Sequence, residues 1–249
     1  MAEIFGRKVF ILHPQSVIKE EMLHLLIAAE YEVALLYDAQ KTLRVLNKYP
    51  DSILFINIEE GMKEPEWAAF ITKIMENERT KEVRIGILSY NSTPALKKKY
   101  LMDIGIQCGV VTLKLGLKES FKIIATTLEA NEAKGRRKYV RAVCSSHDKA
   151  MFNVKYGGDY LTGSILDISS VGMACTFDTP QNLKLGLALD DIQLKLRAVL
   201  CRVKGKLVGM DKEKGERLVV LFSQKISPRE RHKIHQFVYD RLQEIIDAL

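Results

Sequence analysis

The stretch YEVALLYDAQKTLRVLNKYPDSILFINI, residues 31–58, carries the clearest structural signal in the chain. It begins with a short apolar run typical of a buried strand. Apolar residues at helical spacing follow, behind Asp38, whose side chain is well suited to cap a helix. Pro50 ends the helical segment, because a proline ring cannot continue a helix. A second apolar run, residues 52–58, completes a strand–helix–strand unit, which predicts two parallel strands of one sheet.

The same alternation extends to both sides of this stretch, up to about residue 130. Apolar runs at residues 8–12, 84–90 and 109–113 predict three more strands, and the segments around 16–30, 67–75, 94–102 and 118–133 predict helices. Five buried strands that alternate with helices are typical of a doubly wound parallel α/β sheet. We therefore assign residues 1–130 to a first domain of this class.

The order of these elements, from about Lys8 to Ala130, resembles that of a response-regulator receiver domain. A working receiver needs acidic residues after its first strand and a phosphoacceptor aspartate at the end of its third. It also needs Thr or Ser after the fourth strand and Lys after the fifth. The acids hold magnesium, which neutralises the phosphoryl group that arrives on the aspartate.

Only part of that receiver pattern is present. Ser89 and Lys114 stand where the last two receiver residues would be, but His13 follows the first strand in place of an acid pair. Asn57 occupies the acceptor position, and an amide is neither a nucleophile nor an anionic ligand. Glu59 is displaced from that position. The resemblance therefore implies a receiver-like fold that cannot be phosphorylated and serves as a docking or dimerising module.

The pattern changes near Gly135, where helical periodicity is lost until Ser227. Short β-rich runs, separated by turn residues, replace it at residues 139–146, 150–156, 160–169, 171–177, 187–203, 206–210 and 217–222. Many short strands in a small segment predict an antiparallel barrel or sandwich. From Ser227 onward, apolar residues recur at helical spacing and form one stripe, which predicts a terminal helix. These residues are Ile234, Phe237, Val238, Leu242, Ile245 and Ile246. We assign residues 131–249 to this second domain.

Two motifs in the second domain carry chemistry. The segment GRRKYVR, residues 135–141, contains Arg137 and Arg141 at the spacing R-x-x-x-R, and 26 residues later DISSVG, residues 167–172, matches D-x-S-x-x-G. Taken singly, the first could be a solvated linker and the second an Asx-type turn. Together and in this order they resemble the signature of the PilZ family. That resemblance implies a six-stranded antiparallel β-barrel that binds cyclic di-GMP, a bacterial second messenger.

The arginines suit such a ligand. A guanidinium fork matches the adjacent N7 and O6 acceptors of guanine, matches phosphate oxygens, and can stack on a base. By resemblance, Arg137 and Arg141 take these roles. Arg136 precedes the motif, and in this family an arginine there can help to hold a second, intercalated nucleotide. We therefore expect the ligand to bind as a stacked dimer.

The second motif supplies the remaining predicted ligand-binding residues. Asp167 can accept hydrogen bonds from guanine N–H donors, and Ser169 adds a small hydroxyl group. Gly172 lets the backbone approach closely or adopt a positive φ.

Composition excludes several other classes of protein. The four cysteines lack C-x-x-C spacing, which argues against a zinc site and a disulfide framework and favours a reducing, cytoplasmic compartment. No apolar run approaches the ~18–20 residues of a membrane span, and no signal-peptide pattern is visible. No nucleophile–base set, metal spacing or phosphate loop is evident, so we expect no catalytic residue, no metal and no cofactor.

The leading hypothesis is therefore a non-enzymatic cyclic di-GMP receptor. Ligand binding would change the interdomain arrangement and signal to an effector protein, which the sequence does not identify. The resemblance implies an output in motility or surface behaviour, which family members often govern. The net charge of +7 favours an anionic partner. A nucleic-acid-binding or protein-docking regulator that does not bind cyclic di-GMP is the alternative. Nucleic acid is the weaker expectation, because no helix-turn-helix or RNA-binding signature is present.

Overall fold

The computed structural model describes residues 6–16, 18–135, 138–179, 183–211 and 217–249. The chain divides into two compact units. The first, which we call the sheet unit, comprises Met1–Lys138 and Gln243–Leu249; the second, the barrel unit, comprises Tyr139–Leu242. The domain boundary expected between residues 130 and 131 stays a prediction.

In its described part, the sheet unit is built on a five-stranded parallel sheet of order β2-β1-β3-β4-β5. The strands are β1 Lys8–Leu12, β2 Val33–Leu36, β3 Ser52–Asn57, β4 Arg84–Ser89 and β5 Val110–Thr112. The helices are α1 Leu23–Ala28, after a π-helical turn at Ile18–Met22; α2 Ala39–Lys48; α3 Glu64–Glu76; α4 Pro94–Lys98, continued by a π-helical segment at Lys99–Ile104; and α5 Leu117–Ala130. This strand order is one of the two common doubly wound orders, so the predicted receiver-like α/β fold is confirmed.

Local sequence explains these elements. Every residue of β2 and β3 is buried, as expected for parallel strands covered by helices on both faces. Asp38 caps α2, since its side chain accepts a hydrogen bond from the backbone N–H of Lys41. Trp67 of α3 is fully buried in the core beside Phe10 and Leu54.

The barrel unit consists of antiparallel strands. They are β6 Arg141–Val143, β7 Ala150–Tyr156, β8 Asp159–Ser169, β9 Gly172–Phe177, β10 Ala188–Leu196, β11 Val199–Asp211 and β12 Arg217–Phe222. The pairings run β8-β7-β10-β11-β12-β9, and β9 pairs back onto β8. Within the described residues this closes a six-stranded barrel, as predicted. We call the β8–β9 pairing the seam. Strand β6 lies outside the closed ring and pairs with β8.

The run 187–203 was expected as one β-rich segment, and it contains a tight hairpin. Leu196 pairs with Val199, and Arg197 between them adopts φ +59°. No glycine, asparagine or proline marks this turn. The guanidinium of Arg197 lies 3.6 Å from the Asp148 carboxylate and 5.8 Å from the centre of the Phe237 ring. Tertiary contacts therefore hold a conformation that the local sequence does not favour.

The terminal helix α6, Pro228–Asp247, confirms the predicted helix. Ser227 caps it, because its hydroxyl accepts a hydrogen bond from the N–H of Glu230 at 3.2 Å. In the barrel unit, Ile234, Phe237 and Val238 enter the barrel core, and Nε of Arg241 lies 2.7 Å from the buried Asp148 carboxylate.

Asp148 is a charged group in a buried place. Burial opposes its ionisation, but two hydrogen bonds from Ser145 and the guanidinium groups of Arg241 and Arg197 outweigh that effect and lower the pKa of the carboxyl. The carboxylate therefore stays charged near neutral pH and anchors both arginines.

The edge strand β2 of the sheet unit is covered by the side chain of Gln243. Its amide oxygen accepts from the N–H of Leu35 at 2.8 Å, and its amide nitrogen donates to the carbonyl of Leu35 at 2.9 Å. Ile246 lies in the core of the same unit and is 3% exposed. The last residues of the chain thus complete the sheet unit.

Candidate nucleotide-binding site

The D-x-S-x-x-G motif forms the turn of the β8–β9 hairpin. Ser169 ends β8 and pairs with Gly172, the first residue of β9. The Ser169 hydroxyl donates to the carbonyl of Gly172 at 3.2 Å and accepts from the N–H of Val171 at 3.5 Å. Because Ser169 is 2% exposed, its hydroxyl group shapes the turn from within.

Gly172 is required by a close approach of backbone. A Cβ atom at this position would lie 2.5 Å from the carbonyl oxygen of Val220 in β12. Its φ lies outside the left-handed region. Of the two reasons considered for this glycine, close approach is the one that the structure gives.

Asp167 lies where β8 is irregular. The register of the seam shifts between Ile165 and Asp167, which marks a β-bulge. Bulges re-aim side chains and are common beside functional sites. The Asp167 carboxylate is 14% exposed and is bracketed by two arginines: Nη2 of Arg217 bonds Oδ2, and Nη1 of Arg141 lies 3.9 Å from Oδ1.

The structure brings three of the predicted residues together. Arg141 is the first residue of β6, lies directly opposite Ser169, and reaches toward Asp167. Residues opposite each other in an antiparallel pair share a face. Ala142 and Ile168 point into the barrel core, so Arg141 and Asp167 lie on the outer side. Arg136 and Arg137 lie outside the described residues.

Arg217 contacts the candidate site at Asp167, and the sequence analysis did not find it. It begins β12, is 37% exposed, and belongs to no motif. Its partner Asp167 is 50 positions away, so only the pairing of β12 with β9, and of β9 with β8, reveals the contact. Nothing in the local sequence could have found it.

Apolar side chains are also exposed on the outer face of the barrel. Val143 of β6 is 70% exposed, and Val219 and Leu221 of β12 are 39% and 50% exposed. They alternate with residues that point inward, so the outer face here combines arginine, carboxylate and apolar surface. Such a surface suits a ligand with planar bases and anionic groups.

A cavity lies in another part of the barrel unit. It has a volume of about 440 Å³ and lies where β10, β11 and the start of α6 meet. Its charged lining includes Asp190, Asp191, Arg202 and Lys204. Because charges of both signs are mixed there, the lining gives no preference for a dianionic nucleotide.

In the sheet unit, the receiver-type acceptor position is filled by hydrogen bonds. Nδ2 of Asn57 donates to the carbonyl of His13 at 2.9 Å, and its Oδ1 accepts from the N–H of Glu59 at 3.2 Å. The His13 ring packs against Trp67, with ring centres 5.7 Å apart. An imidazole thus occupies the place where a receiver holds its acid pair. Lys114 lies just after β5, on an exposed 3₁₀ turn.

The Glu59 carboxylate lies in a ring of hydrogen-bond donors. Its Oε1 accepts from the Ser89 hydroxyl at 2.8 Å, the N–H of Tyr90 at 2.6 Å and the N–H of Asn91 at 2.9 Å. Gln15 donates to Oε2 at 3.3 Å. Burial opposes ionisation, but these hydrogen bonds prevail and lower the pKa of Glu59.

The described residues contain no group of three or more His, Cys, Asp or Glu placed to hold a metal ion. All four cysteines are free. Burial raises the pKa of the Cys144 thiol to about 12 and that of Cys108 to about 11, so these thiols are poor nucleophiles at neutral pH. Among the described helices, none combines the length and the apolar character needed to cross a bilayer.

Residues 135–240 match the PilZ domain model. The chain therefore carries a PilZ domain, which contains both sequence motifs and the whole barrel. No curated protein matches the chain.

Several solved structures are similar to parts of the chain. The PilZ domain with c-di-GMP of YcgR from Escherichia coli is 20% identical, covers 45% of this chain and 96% of its own, and has a TM-score of 0.40. The MrkH–c-di-GMP complex of K. pneumonia is 17% identical over 46% of this chain, with a TM-score of 0.41, and the match spans 56% of MrkH. The chemotaxis response regulator CheY4 of Vibrio cholerae is 18% identical, covers 49% of this chain and 98% of its own, and has a TM-score of 0.41.

Proposed function

We propose that the barrel unit binds cyclic di-GMP on its outer face, at Arg141, Asp167, Ser169 and Gly172, with Arg136 and Arg137 completing the site. The observation that carries this proposal is the placement of Arg141 beside Asp167, next to the seam of a PilZ barrel. A cation and a carboxylate side by side suit a ligand that offers both phosphate oxygens and guanine N–H donors.

Each residue has a distinct part in the proposed complex. Arg141 and Arg137 bind phosphate oxygens or the N7 and O6 edge of guanine. Asp167 accepts hydrogen bonds from guanine N–H groups. Ser169 and Gly172 keep the hairpin turn tight and hold Asp167 at the seam.

Arg136 extends the proposed site to a second nucleotide. It adds a third guanidinium to one short segment, and a planar guanidinium can stack between bases. Two ligand molecules stacked on each other are then expected, and the proposal gives a stoichiometry near two.

Titration calorimetry with cyclic di-GMP tests the site directly. Wild-type protein should bind with micromolar or tighter affinity, and the double variant Arg137→Ala, Arg141→Ala should lose binding. The double variant Arg79→Ala, Arg229→Ala removes the same charge at exposed positions elsewhere and should bind like the wild type. Absence of binding by the wild type, or equal losses in both double variants, would contradict the proposal.

The alternative function, a nucleic-acid-binding regulator, makes a different prediction. A gel-shift assay in which the affinity for nucleic acid falls steeply as the salt concentration rises would favour it, because phosphate contacts release counterions.

We also propose that the sheet unit does not accept a phosphoryl group. The Asn57 side chain is an uncharged amide that donates to the His13 carbonyl, and His13 stands where magnesium would need acids. Incubation with acetyl phosphate and magnesium, followed by mass spectrometry, should leave the mass unchanged, while an active receiver treated in parallel gains a phosphoryl group. A phosphoaspartate in this chain would refute the idea.

Signalling to an effector is the last part of the proposal. The segment 136–141 spans the boundary between the two units, at residues 138 and 139. Ligand binding by its arginines would therefore act on the residues that join the units and change the interdomain arrangement. Small-angle scattering with and without cyclic di-GMP tests this: superimposable profiles would count against rearrangement.

A further inference from the structure

We propose that Arg217 is a positioning residue of the nucleotide site, which fixes the Asp167 carboxylate for the ligand. The inference rests on the proposed function, since it concerns the same site. Arg217 belongs to neither sequence motif.

The first support is the rigidity of its position. Arg217 is the first residue of β12, and in that strand Leu218, Val220 and Phe222 point into the core. The alternation sends Arg217, like Val219, to the outer face. The pairing of Leu218 with Cys175 of β9 fixes the height of Arg217 relative to the seam.

The second support is that the two oxygens of the Asp167 carboxylate face different arginines. Arg217 bonds Oδ2, whereas Arg141 stays 3.9 Å from Oδ1, which is beyond hydrogen-bonding distance. One oxygen of Asp167 is thus held by an arginine of the closed ring, while the guanidinium of Arg141 on β6 makes no hydrogen bond to the carboxylate and is available to a ligand. The carboxylate is also only 14% exposed, so a loss of Arg217 would leave a largely buried charge with its strongest partner removed.

The consequence concerns how guanine is recognised. A carboxylate whose plane is already fixed binds guanine N–H donors more tightly, because ordering a mobile side chain on binding costs affinity. Arg217 supplies that order and adds a positive charge beside the phosphates.

A double-mutant cycle on cyclic di-GMP binding tests the inference. Arg217→Gln keeps the side-chain length and should weaken binding about 10-fold, the effect expected of a hydrogen bond to a charged group. Asp167→Ala should weaken it at least as much. If Arg217 acts through Asp167, the substitution Arg217→Gln in the Asp167→Ala background should have little further effect.

The outcomes separate the inference from the proposed function. If the wild type does not bind cyclic di-GMP, the proposed function itself is wrong. If the wild type binds and Arg217→Gln binds equally well, or if the two losses simply add, Arg217 is not a positioning residue. Melting curves of each variant check folding, and Arg217→Lys serves as a second variant if the glutamine variant unfolds.

A separate observation carries a second inference, in the sheet unit. We infer that the Glu59 carboxylate is an anion supplied by the chain itself, which fills the donor ring at the carboxyl ends of β3 and β4 and holds the loop after β4 closed. Two consecutive backbone N–H groups and a hydroxyl that converge on one point form an anion-binding nest. Here Tyr90, Asn91 and Ser89 supply those donors, and the chain supplies the anion itself.

The geometry favours permanent occupancy of the donor ring by the Glu59 carboxylate. Ser89 is 1% exposed, so its hydroxyl has little access to water and depends on the Glu59 oxygen for its hydrogen bond. An external phosphate would have to displace a carboxylate that is tethered to β3 and therefore present at high effective concentration. The loop is thus held closed without any phosphorylation step.

Amide NMR with inorganic phosphate tests this second inference. In wild-type protein the amide signals of Tyr90 and Asn91 should not move with added phosphate. In Glu59→Ala the two amides should exchange with solvent at least about 10-fold faster and should shift as phosphate fills the vacated ring. Glu59→Gln, which keeps an acceptor oxygen but no charge, should fall between the two.

Two results would overturn it. One is a wild type whose Tyr90 and Asn91 signals respond to phosphate as strongly as those of the variant. The other is unchanged amide exchange in both variants, which would mean that Glu59 does not hold the loop.

Discussion

At the scale of single residues, the space at Gly172 and the hydrogen bonds of Asn57 restrict which side chains these two positions can hold. Gly172 has no room for a methyl group, because β12 presents a backbone carbonyl there. Asn57 is fully buried, and both ends of its amide are used in hydrogen bonds. We therefore expect Gly172→Ala and Asn57→Asp, although both are small changes, to destabilise the protein.

Replacement of Gly172 by alanine should therefore destabilise the barrel unit. The added Cβ would lie 2.5 Å from the Val220 carbonyl, and backbone cannot move aside as a flexible side chain can. We expect a loss of about 1–3 kcal/mol in the free energy of unfolding, as for other overpacked sites, measured by urea denaturation. Gly209→Ala is a matched control, since its Cβ would meet the Val219 side chain at 3.2 Å and should cost less. Equal effects would contradict the backbone argument.

Replacement of Asn57 by aspartate should not create a phosphoacceptor. A carboxylate there would be buried, would face the His13 carbonyl, and would lose the hydrogen bond that Nδ2 donates. Burial raises the pKa of such a carboxyl, so the variant should be destabilised at pH 7 and recover as the pH falls and the group takes up a proton. Urea denaturation at pH 7 and pH 5 measures this. A variant that is as stable as the wild type at pH 7 and gains a phosphoryl group would refute it.

At the scale of elements, each unit depends on a segment that is distant in the sequence. Helix α6 packs on the barrel core and holds Asp148 through Arg241. The side chain of Gln243 pairs with the edge strand β2 as a neighbouring strand would. An edge strand covered in this way is protected from pairing with other chains.

Gln243→Ala should therefore weaken the sheet unit. The substitution leaves the N–H and carbonyl of Leu35 without the partner that now satisfies both, and each such loss costs about 1 kcal/mol. We expect a lower urea midpoint and faster amide exchange at Leu35. Glu244→Ala, at the neighbouring exposed position, is the control. An exchange rate at Leu35 that does not change would contradict the assigned role of Gln243.

The elements also show where sequence is sufficient and where it is not. Strand β1 coincides with the predicted run 8–12, and the caps Asp38 and Ser227 lie where local chemistry places them. The hairpin at Arg197 escaped prediction because Asp148 and Phe237, far away in the chain, hold its backbone. The motif residues could be found by spacing, whereas Arg217 could not, because its contact depends on strand pairing.

At the scale of the whole molecule, hydrogen-bonded carboxylates set the response to acid. The pKa values of Asp148 and Glu59 are both lowered in the folded chain. An unfolded chain binds protons at those groups first, near pH ~4. Their contribution to stability is therefore complete above that pH and is lost as the pH falls through the folded-state pKa values.

The free energy of unfolding should accordingly vary little on this account between pH 7 and pH 5 and fall below about pH 4. Asp148→Asn should be less stable than the wild type at pH 7, because Arg241 and Arg197 lose their counter-charge. The difference between the two proteins should shrink in acid, where the wild-type carboxylate is protonated as well. Urea midpoints from pH 7 to pH 3 measure both curves. Parallel curves would show that Asp148 is not the responsible group.

Strand β6 offers a last consequence of the closed barrel. It is three residues long and pairs with the last residues of β8, in addition to the six strands that close the ring. It can therefore detach while the pairings of the six ring strands remain, at the cost of exposing Ala142, and so at a free energy below that of global unfolding. Arg141 belongs to β6, which can detach, whereas Asp167 belongs to β8 of the ring. A nucleotide bound by both residues would hold β6 on the ring. Its binding would therefore slow the detachment of β6 and change that rate more than it changes the melting temperature of the barrel.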